Sequence, residues 1–239
     1  MRVPRVYLAD TLTTGRRVVL EDERAHYLRG VLRLRSGARL TVFNGEGGEY
    51  EAHLLTVSRR EVVVGIGDRR DRDTESPLKV ELGLGIAKGE RMDLAVQKAV
   101  ELGVHAIFPL ETRFANVRLA GDRREHKRRH WCKIAIAACE QCGRNRLPRI
   151  HSPQPLGAWV RSRSGGVILD PQGNPRPDPP RPDAGLTLLV GPEGGLSEEE
   201  IQQARSQGFV GWRLGPRILR VETAVAAALS VAQSLWGDF

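Results

Sequence analysis

The stretch 188–200, LLVGPEGGLSEEE, decides the fold of this 239-residue chain. It starts as an apolar run, breaks at a Gly-Pro turn, and then places Ser197 three residues before Glu200. That spacing is a capping box and predicts the first turn of a helix. The glycines between the two parts allow the backbone to bend tightly and to approach a ligand closely. Ligands of α/β proteins bind outside the carboxyl ends of the strands, although ordinary strand–helix junctions carry the same pattern.

A second stretch, LGPRILRVETA at 214–224, repeats the Gly-Pro turn and leads into the last helix, predicted from Glu222 to Trp236. Glu222 or Thr223 is expected to favour the start of this helix. We expect Glu222 to hold Arg217 or Arg220 in place. The apolar side of the helix is broad enough to serve the core alone or both the core and a partner subunit. It consists of Ala224, Val225, Ala228, Leu229, Ala232, Leu235 and Trp236.

The rest of the chain divides into two regions with different patterns. Residues 1–72 contain short β-branched runs and an Asn-Gly turn at 44–45, so a small β-rich module is predicted, with one short helix at 21–32. Residues 73–239 alternate strands with helices, which predicts a mostly parallel α/β sheet. The Pro-rich stretch 171–184 is predicted to be a loop.

Charge and composition narrow the possible partners. The net charge is +8, and residues 121–149 hold nine basic but three acidic residues, which is typical of a protein that binds a polyanion. No apolar run is long enough to cross a membrane, and no signal peptide is evident, so we expect a cytoplasmic protein. The three cysteines and the His126–His130 spacing are not sufficient for a metal site. Gly83-x-Gly85 falls within a predicted strand and is weak evidence for nucleotide binding.

The two Gly-Pro stretches together resemble the signature of the RsmE-type family of SPOUT methyltransferases. That family carries Gly-Pro-Glu-Gly-Gly followed by Leu-Gly-x-x-Ile-Leu-Arg-x-Glu-Thr-Ala, and both motifs are unbroken here. Further matches are spread over nearly the whole chain, at 26–37, 88–92, 97–98, 101–104 and 140–148. Phe114-Ala115 departs from the Ser-Val that many relatives carry after the arginine at this point, which leaves the role of this loop open.

The resemblance implies a fold, a reaction and partners. The fold would be α/β, a SPOUT trefoil-knot domain with a parallel sheet at 73–239, preceded by a small PUA-like β-barrel at 1–72 that helps to hold RNA. The reaction would be methylation of N3 of a uridine in the 16S ribosomal RNA of the small subunit, with S-adenosylmethionine as cofactor. The enzyme would be a homodimer without a metal. A related enzyme that methylates transfer RNA or a ribose 2′-oxygen, or a non-catalytic ribosome assembly factor, stays possible.

The resemblance also assigns residues to the site. Cofactor contacts are carried onto Leu169, Gly191, Pro192, Glu193, Gly194, Leu214, Gly215, Ile218, Leu219, Arg220 and Thr223. The candidates for catalysis are Arg220, which can stabilise negative charge on the uracil oxygens, and the acidic residues Glu193 and Glu222. The candidates for RNA binding are Arg33, Lys98, Arg113, Arg144 and Arg146.

Overall fold

The computed structural model describes residues 3–115, 121–174 and 185–239. These residues form two compact units. The first comprises the chain up to Glu75 together with Cys139–Leu147, and the second comprises Ser76–Ala138 and Pro148–Phe239. The division predicted between residues 72 and 73 lies close to this one. The sequence placed residues 139–147 in the C-terminal domain, whereas they pack with the N-terminal unit.

The N-terminal unit is built on a five-stranded sheet in the order β1-β3-β4-β5-β2. All pairs are antiparallel except β1 with β3. Alternating side chains along these strands point into one apolar core that includes Val42, Leu54 and Val64. The strands are β1 (Arg5–Tyr7), β2 (Arg17–Leu20), β3 (Arg39–Phe43), β4 (Glu49–Val57) and β5 (Val62–Arg70).

The helix predicted at 21–32 is present, but only its first half is α-helical. Helix α1 spans Asp22–His26, and the chain then continues as a π-helical turn over Tyr27–Val31. Arg33 follows this turn with a φ of 53°, the one non-glycine residue among those described whose φ is positive. Such backbone positions carry a conformational cost and are concentrated at functional sites.

The second unit contains a seven-stranded sheet in which every pair of strands is parallel. Its main order is β12-β10-β11-β6-β7-β8, with β9 paired to β7. The strands are β6 (Val80–Gly85), β7 (Ala106–Glu111), β8 (Arg149–Ile150), β9 (Gln154–Pro155), β10 (Gly166–Asn174), β11 (Leu186–Val190) and β12 (Phe209–Trp212). The parallel α/β sheet expected after a β-rich module is therefore confirmed.

Helices complete this second unit and cover its sheet. They are α2 (Glu90–Glu101), α3 (Asp122–Cys142, of which the last four residues belong to the first unit), α4 (Leu156–Arg161), α5 (Glu198–Ser206) and α6 (Val221–Trp236). Helix α6 packs along α2 and buries most of the apolar stripe predicted for it. The buried amide of Gln233 joins the two, because it donates to the carbonyl of Leu102 at 2.8 Å. None of the helices described is both long and apolar enough to span a membrane.

The three cysteines are free thiols, and Cys139 is fully buried. Burial raises the pKa of the Cys139 thiol to about 12. At pH 8 such a thiol is almost entirely protonated and unreactive, since the thiolate is the nucleophile. We therefore expect N-ethylmaleimide to modify Cys139 at least about 100-fold more slowly in the native protein than in urea. Peptide mass spectrometry at successive times measures both rates, and equal rates would contradict the burial described here.

Candidate ligand-binding site

The Gly-rich turn between β11 and α5 has the geometry that the sequence predicts. The Ser197 side chain accepts a hydrogen bond from the Glu200 amide at 3.3 Å, and the Glu200 carboxylate accepts one from the Ser197 amide at 2.8 Å. The capping box is thus confirmed, and it fixes the direction in which α5 leaves the turn. Gly195 takes a φ of 71°, which a residue with a side chain rarely adopts.

A cavity of about 590 Å³ opens outside the carboxyl ends of β10, β11 and β12. Its walls come from the Gly-rich turn after β11, from residues 169–172 of β10, from one side of α5, and from the segment between β12 and α6. Nine of the predicted cofactor residues line it: Leu169, Gly191, Pro192, Glu193, Leu214, Gly215, Ile218, Leu219 and Arg220. Gly194 and Thr223 do not line it, and Gly194 instead packs against Phe114.

Glu193 is the predicted acidic residue that lies on the wall of this cavity. Its Oε1 atom accepts a hydrogen bond from the Lys88 amide at 3.1 Å and lies 3.5 Å from Nη1 of Arg91. Its Oε2 atom is buried and has no hydrogen-bond partner among the residues described. An unsatisfied buried acceptor is costly, so this oxygen is suited to receive a proton or a hydrogen bond from a ligand.

The segment between β12 and α6 differs in detail from the prediction. Helix α6 begins at Val221, its N-cap is Arg220, and no side chain caps it. Neither Glu222 nor Thr223 caps the helix, because both already lie inside the first turn, but the carboxylate of Glu222 is placed there to favour the helix N-terminus as expected. Within the described part of the chain, Glu222 forms no ion pair with Arg217 or Arg220, and its buried Oε2 lacks a partner. Arg220 is exposed and lines the cavity.

Several residues of the cavity were missed by the sequence reasoning. Most of them come from elements that lie far apart in the chain. They include Arg91, Asp170, Gln172, Leu196, Ile201, Arg205 and Trp212. Only the position of Asp170, directly after an apolar strand, gave a signal that could have been used.

Three of the predicted RNA-binding residues are partly or fully exposed and bound to neighbouring groups. Arg113 donates its amide to Glu200 at 2.8 Å, and its guanidinium lies 3.1 Å from Glu199. Hydrogen bonding to its own backbone amide, and then to Ser197 and Arg113, lowers the pKa of the Glu199 carboxyl. The remaining two are Lys98, which is paired with Glu101 at 2.8 Å, and Arg146, which donates to the carbonyl of Glu46 at 2.7 Å. Arg33 is exposed as well.

Arg144 does not fit the predicted role in RNA binding. It is only 4% exposed, and its guanidinium makes a two-pronged contact with Glu75, with Nε 2.9 Å from Oε1. Burial alone would lower the pKa of Arg144 by desolvation. The hydrogen bond and the charge of Glu75 raise it by more, so the pKa lies above its usual value. Arg144 therefore anchors the segment 139–147 within the N-terminal unit, and it is not among the residues proposed to bind RNA.

Replacing Glu75 by glutamine should destabilise the N-terminal unit by about 3–5 kcal/mol, because it removes the negative charge that faces the buried Arg144 guanidinium. Chemical unfolding followed by circular dichroism measures this loss. Asp71→Asn is the matched control, since Asp71 is exposed in its pair with Arg69 and should matter little. Equal stability of the Glu75→Gln variant and the wild type would show that Arg144 is not held by this pair.

Comparisons with known proteins agree with this architecture. Residues 74–233 match the model of an RNA methyltransferase domain, and residues 20–67 match that of an RNA methyltransferase PUA domain. The fold and the cavity thus define the class of RNA methyltransferases that carry an N-terminal PUA domain. This confirms the predicted fold class.

The individual relatives narrow the class further. The chain is 34% identical to ribosomal RNA small subunit methyltransferase E of Buchnera aphidicola, over 99% of this chain and 98% of the relative. It is 33% identical to the Bacillus subtilis protein of the same name, over 88% and 87%. The solved structure of methyltransferase E from Neisseria gonorrhoeae, bound to S-adenosylmethionine, superimposes with a TM-score of 0.94 at 38% identity, with full coverage of both chains. A methyltransferase from Legionella pneumophila, in complex with the same cofactor, gives a TM-score of 0.95 at 39% identity, also over both full lengths. The chain belongs to the ribosomal RNA small subunit methyltransferase E family.

Proposed function

We propose that this protein transfers the methyl group of S-adenosylmethionine to N3 of a uridine in 16S ribosomal RNA of the small ribosomal subunit, in the cytoplasm. The observation that carries the proposal is the cavity at the carboxyl ends of β10, β11 and β12, which brings both Gly-Pro motifs together. Relatives that match this chain over 98% and 87% of their own lengths are named for this class of reaction.

The residues of the cavity fit S-adenosylmethionine. A volume of about 590 Å³ is within the range of small-molecule sites. Apolar side chains such as Leu196, Leu214 and Leu219 can pack on an adenine ring, while the glycines of the turns leave backbone groups accessible to its edge. When bound, S-adenosylmethionine supplies a methyl group that its sulfonium makes electrophilic.

The chemistry left to the protein concerns the uridine. N3 of uridine is weakly nucleophilic until its proton leaves, so a proton acceptor is needed. We assign this role to Glu193, because its Oε1 is held in place and its Oε2 is free to accept. Glu222 does not line the cavity and is the weaker candidate. Glu193 would take the N3–H proton, and the freed N3 lone pair would then be available to the electrophilic methyl group that S-adenosylmethionine would supply.

Arg220 supports the same step by electrostatics. Loss of the N3 proton places negative charge on the two uracil oxygens, and a guanidinium beside them stabilises that charge. Arg220 stands at the amino end of α6 and is exposed on the cavity wall, where an incoming base can reach it. The target base must leave its stack to do so, which costs a few kcal/mol.

Exposed basic residues on both units supply the RNA contacts in this proposal. They are Arg33 in the N-terminal unit and Lys98 and Arg113 in the second, with Arg146 beside the hairpin that contains Glu46. Arg113 is fixed next to the Gly-rich turn by Glu199 and Glu200, so it can bind a phosphate close to the cavity. Binding through such contacts weakens steeply as the salt concentration rises.

We also propose that the enzyme is a homodimer. Val231 and Leu235 lie one turn apart on α6 and are 36% and 48% exposed, and Leu94 on the neighbouring α2 is 42% exposed. Exposed apolar side chains on these two helices favour burial against another subunit. A second copy of the chain is the occupant expected, since oligomers of soluble proteins are mostly symmetric dimers.

Methyl transfer to ribosomal subunits tests the proposed function. Small subunits from a strain that lacks this protein are incubated with labelled S-adenosylmethionine and the purified enzyme, and the RNA is digested to nucleosides. We expect labelled 3-methyluridine. A different methylated nucleoside would keep the cofactor and change the substrate, whereas absence of transfer with intact RNA binding would favour an assembly factor.

A further inference from the structure

A buried acidic residue stands on the cavity wall outside the predicted site. Asp170 ends the apolar part of β10 and is only 5% exposed. Its Oδ1 atom accepts a hydrogen bond from the Gln172 amide at 2.8 Å, and its Oδ2 atom accepts one from Nη2 of Arg205 at 2.8 Å. A buried carboxylate is costly unless it is paired, so these two donors are what allow Asp170 to lie on the cavity wall.

Arg205 completes this pair from the last turn of α5. Its side chain is 42% exposed and lines the cavity. Among the residues described, its Nε and Nη1 atoms form no hydrogen bond, so donors remain for a ligand. Four other arginines line the cavity: Arg91, Arg213, Arg217 and Arg220. Only Arg205 is held by a carboxylate that is itself buried, and it is therefore the guanidinium with the most fixed position.

A buried donor on the same wall gives independent evidence for a ligand. Trp212 is 1% exposed, lines the cavity and is paired in register with Leu169, the residue before Asp170. Its indole nitrogen is buried and lacks a hydrogen-bond partner within the described part of the chain. Buried indole N–H groups usually find a partner, so this nitrogen is available to a polar atom of a ligand.

We propose that Asp170 and Arg205 bind the amino-acid end of S-adenosylmethionine. This inference rests on the proposed cofactor. The α-carboxylate is the only anionic group of that molecule, and a fixed guanidinium with free donors matches it in charge and geometry. The α-ammonium beside it is matched by the carboxylate of Asp170, whose oxygens have lone pairs to spare. The two charges of the amino-acid end complement the two charges of the Asp170–Arg205 pair. The adenine and the ribose carry no charge that would match this pair.

Two ligands separate this subsite from the rest of the cavity. S-Adenosylhomocysteine carries the amino-acid end, whereas 5′-deoxy-5′-methylthioadenosine keeps the adenine and ribose and lacks it. Calorimetric titration of both into the wild type and into Arg205→Gln measures what the guanidinium contributes. We expect the variant to bind S-adenosylhomocysteine about 10- to 100-fold more weakly, the range for lost hydrogen bonds to a charged group, and methylthioadenosine nearly as well as the wild type.

Three further variants test whether Asp170 and Arg205 bind the amino-acid end. Asp170→Asn should show the same selectivity between the two ligands, and Arg205→Lys should recover part of the affinity because it keeps the charge. Arg161→Gln, which alters an exposed arginine on α4, is the control and should bind both ligands like the wild type. Equal loss of affinity for both ligands, or no loss for either, would overturn the proposal. Failure of the wild type to bind either ligand would instead overturn the proposed cofactor.

Discussion

Replacing Arg220 by alanine is expected to lower the turnover number for methyl transfer by about 100- to 1000-fold, as the loss of one charge-stabilising donor does in other enzymes. We expect this loss because Arg220 is exposed on the cavity wall, at the end of the second Gly-Pro segment, where the uracil can reach it. Its side chain does not cap α6, so its removal should leave the helix intact. Single-turnover methylation of small subunits measures the effect on chemistry.

Two further variants show whether the guanidinium itself is needed. Arg220→Lys keeps the positive charge and should retain more activity than alanine, while it loses the planar pair of donors with which a guanidinium can bind a uracil oxygen. Arg161→Ala removes an arginine of α4 that is exposed outside the cavity and should leave turnover unchanged. Turnover of the Arg220→Ala variant close to that of the wild type would remove Arg220 from the mechanism.

The parts of the fold that the sequence predicts are those coded by local signals. Strand β11, the turn after it and the start of α5 are specified within thirteen consecutive residues, by an apolar run, glycines and a capping box. Each of these acts through the backbone of its own neighbours, so no distant partner has to be known. The same holds for the amphipathic pattern of α6, which buries Val225 and Leu229 as expected.

The parts that could not be predicted depend on contacts between distant residues. Asp170 and Arg205 are 35 residues apart, and only the parallel order of β10, β11 and β12 brings them to one wall. Arg144 lies in a basic segment, and nothing near it in the chain shows that Glu75, 69 residues away, neutralises it. Charge patterns identify basic surfaces, but they do not show which cations are already paired in the core.

The structure also explains the two glycines of β6, Gly83 and Gly85, by packing, which the sequence alone could not show. Gly83-x-Gly85 resembles part of a nucleotide-binding motif, but a ligand is not what requires these two glycines. A Cβ atom on Gly83 would lie 2.5 Å from the ring of Trp159, and one on Gly85 would lie 2.5 Å from Cδ of Pro192. Real Cβ atoms do not approach other atoms so closely, so both positions need glycine for packing.

Gly85→Ala should therefore displace the Gly-rich turn that forms part of the cavity wall, although Gly85 itself does not line the cavity. The added methyl group would also lie 2.6 Å from the backbone nitrogen of Pro192 and 3.0 Å from the carbonyl carbon of Gly191, and these backbone atoms cannot rotate away. The Gly-rich turn has to move, and with it a wall of the cavity. Overpacking of this kind costs about 1–3 kcal/mol or more, which should weaken the binding of S-adenosylmethionine at least about 10-fold. Calorimetric titration measures this affinity.

Gly157→Ala is the matched control, because it adds the same methyl group at a less rigid place. Its Cβ atom would meet the amide end of the Gln203 side chain at 2.9 Å, and that end can rotate away. Alanine is also the better helix former at this position in α4. We expect this variant to bind S-adenosylmethionine like the wild type. If Gly85→Ala did the same, with an unchanged melting temperature, the contact between β6 and the Gly-rich turn would be looser than described, and the shape of the cavity would not depend on it.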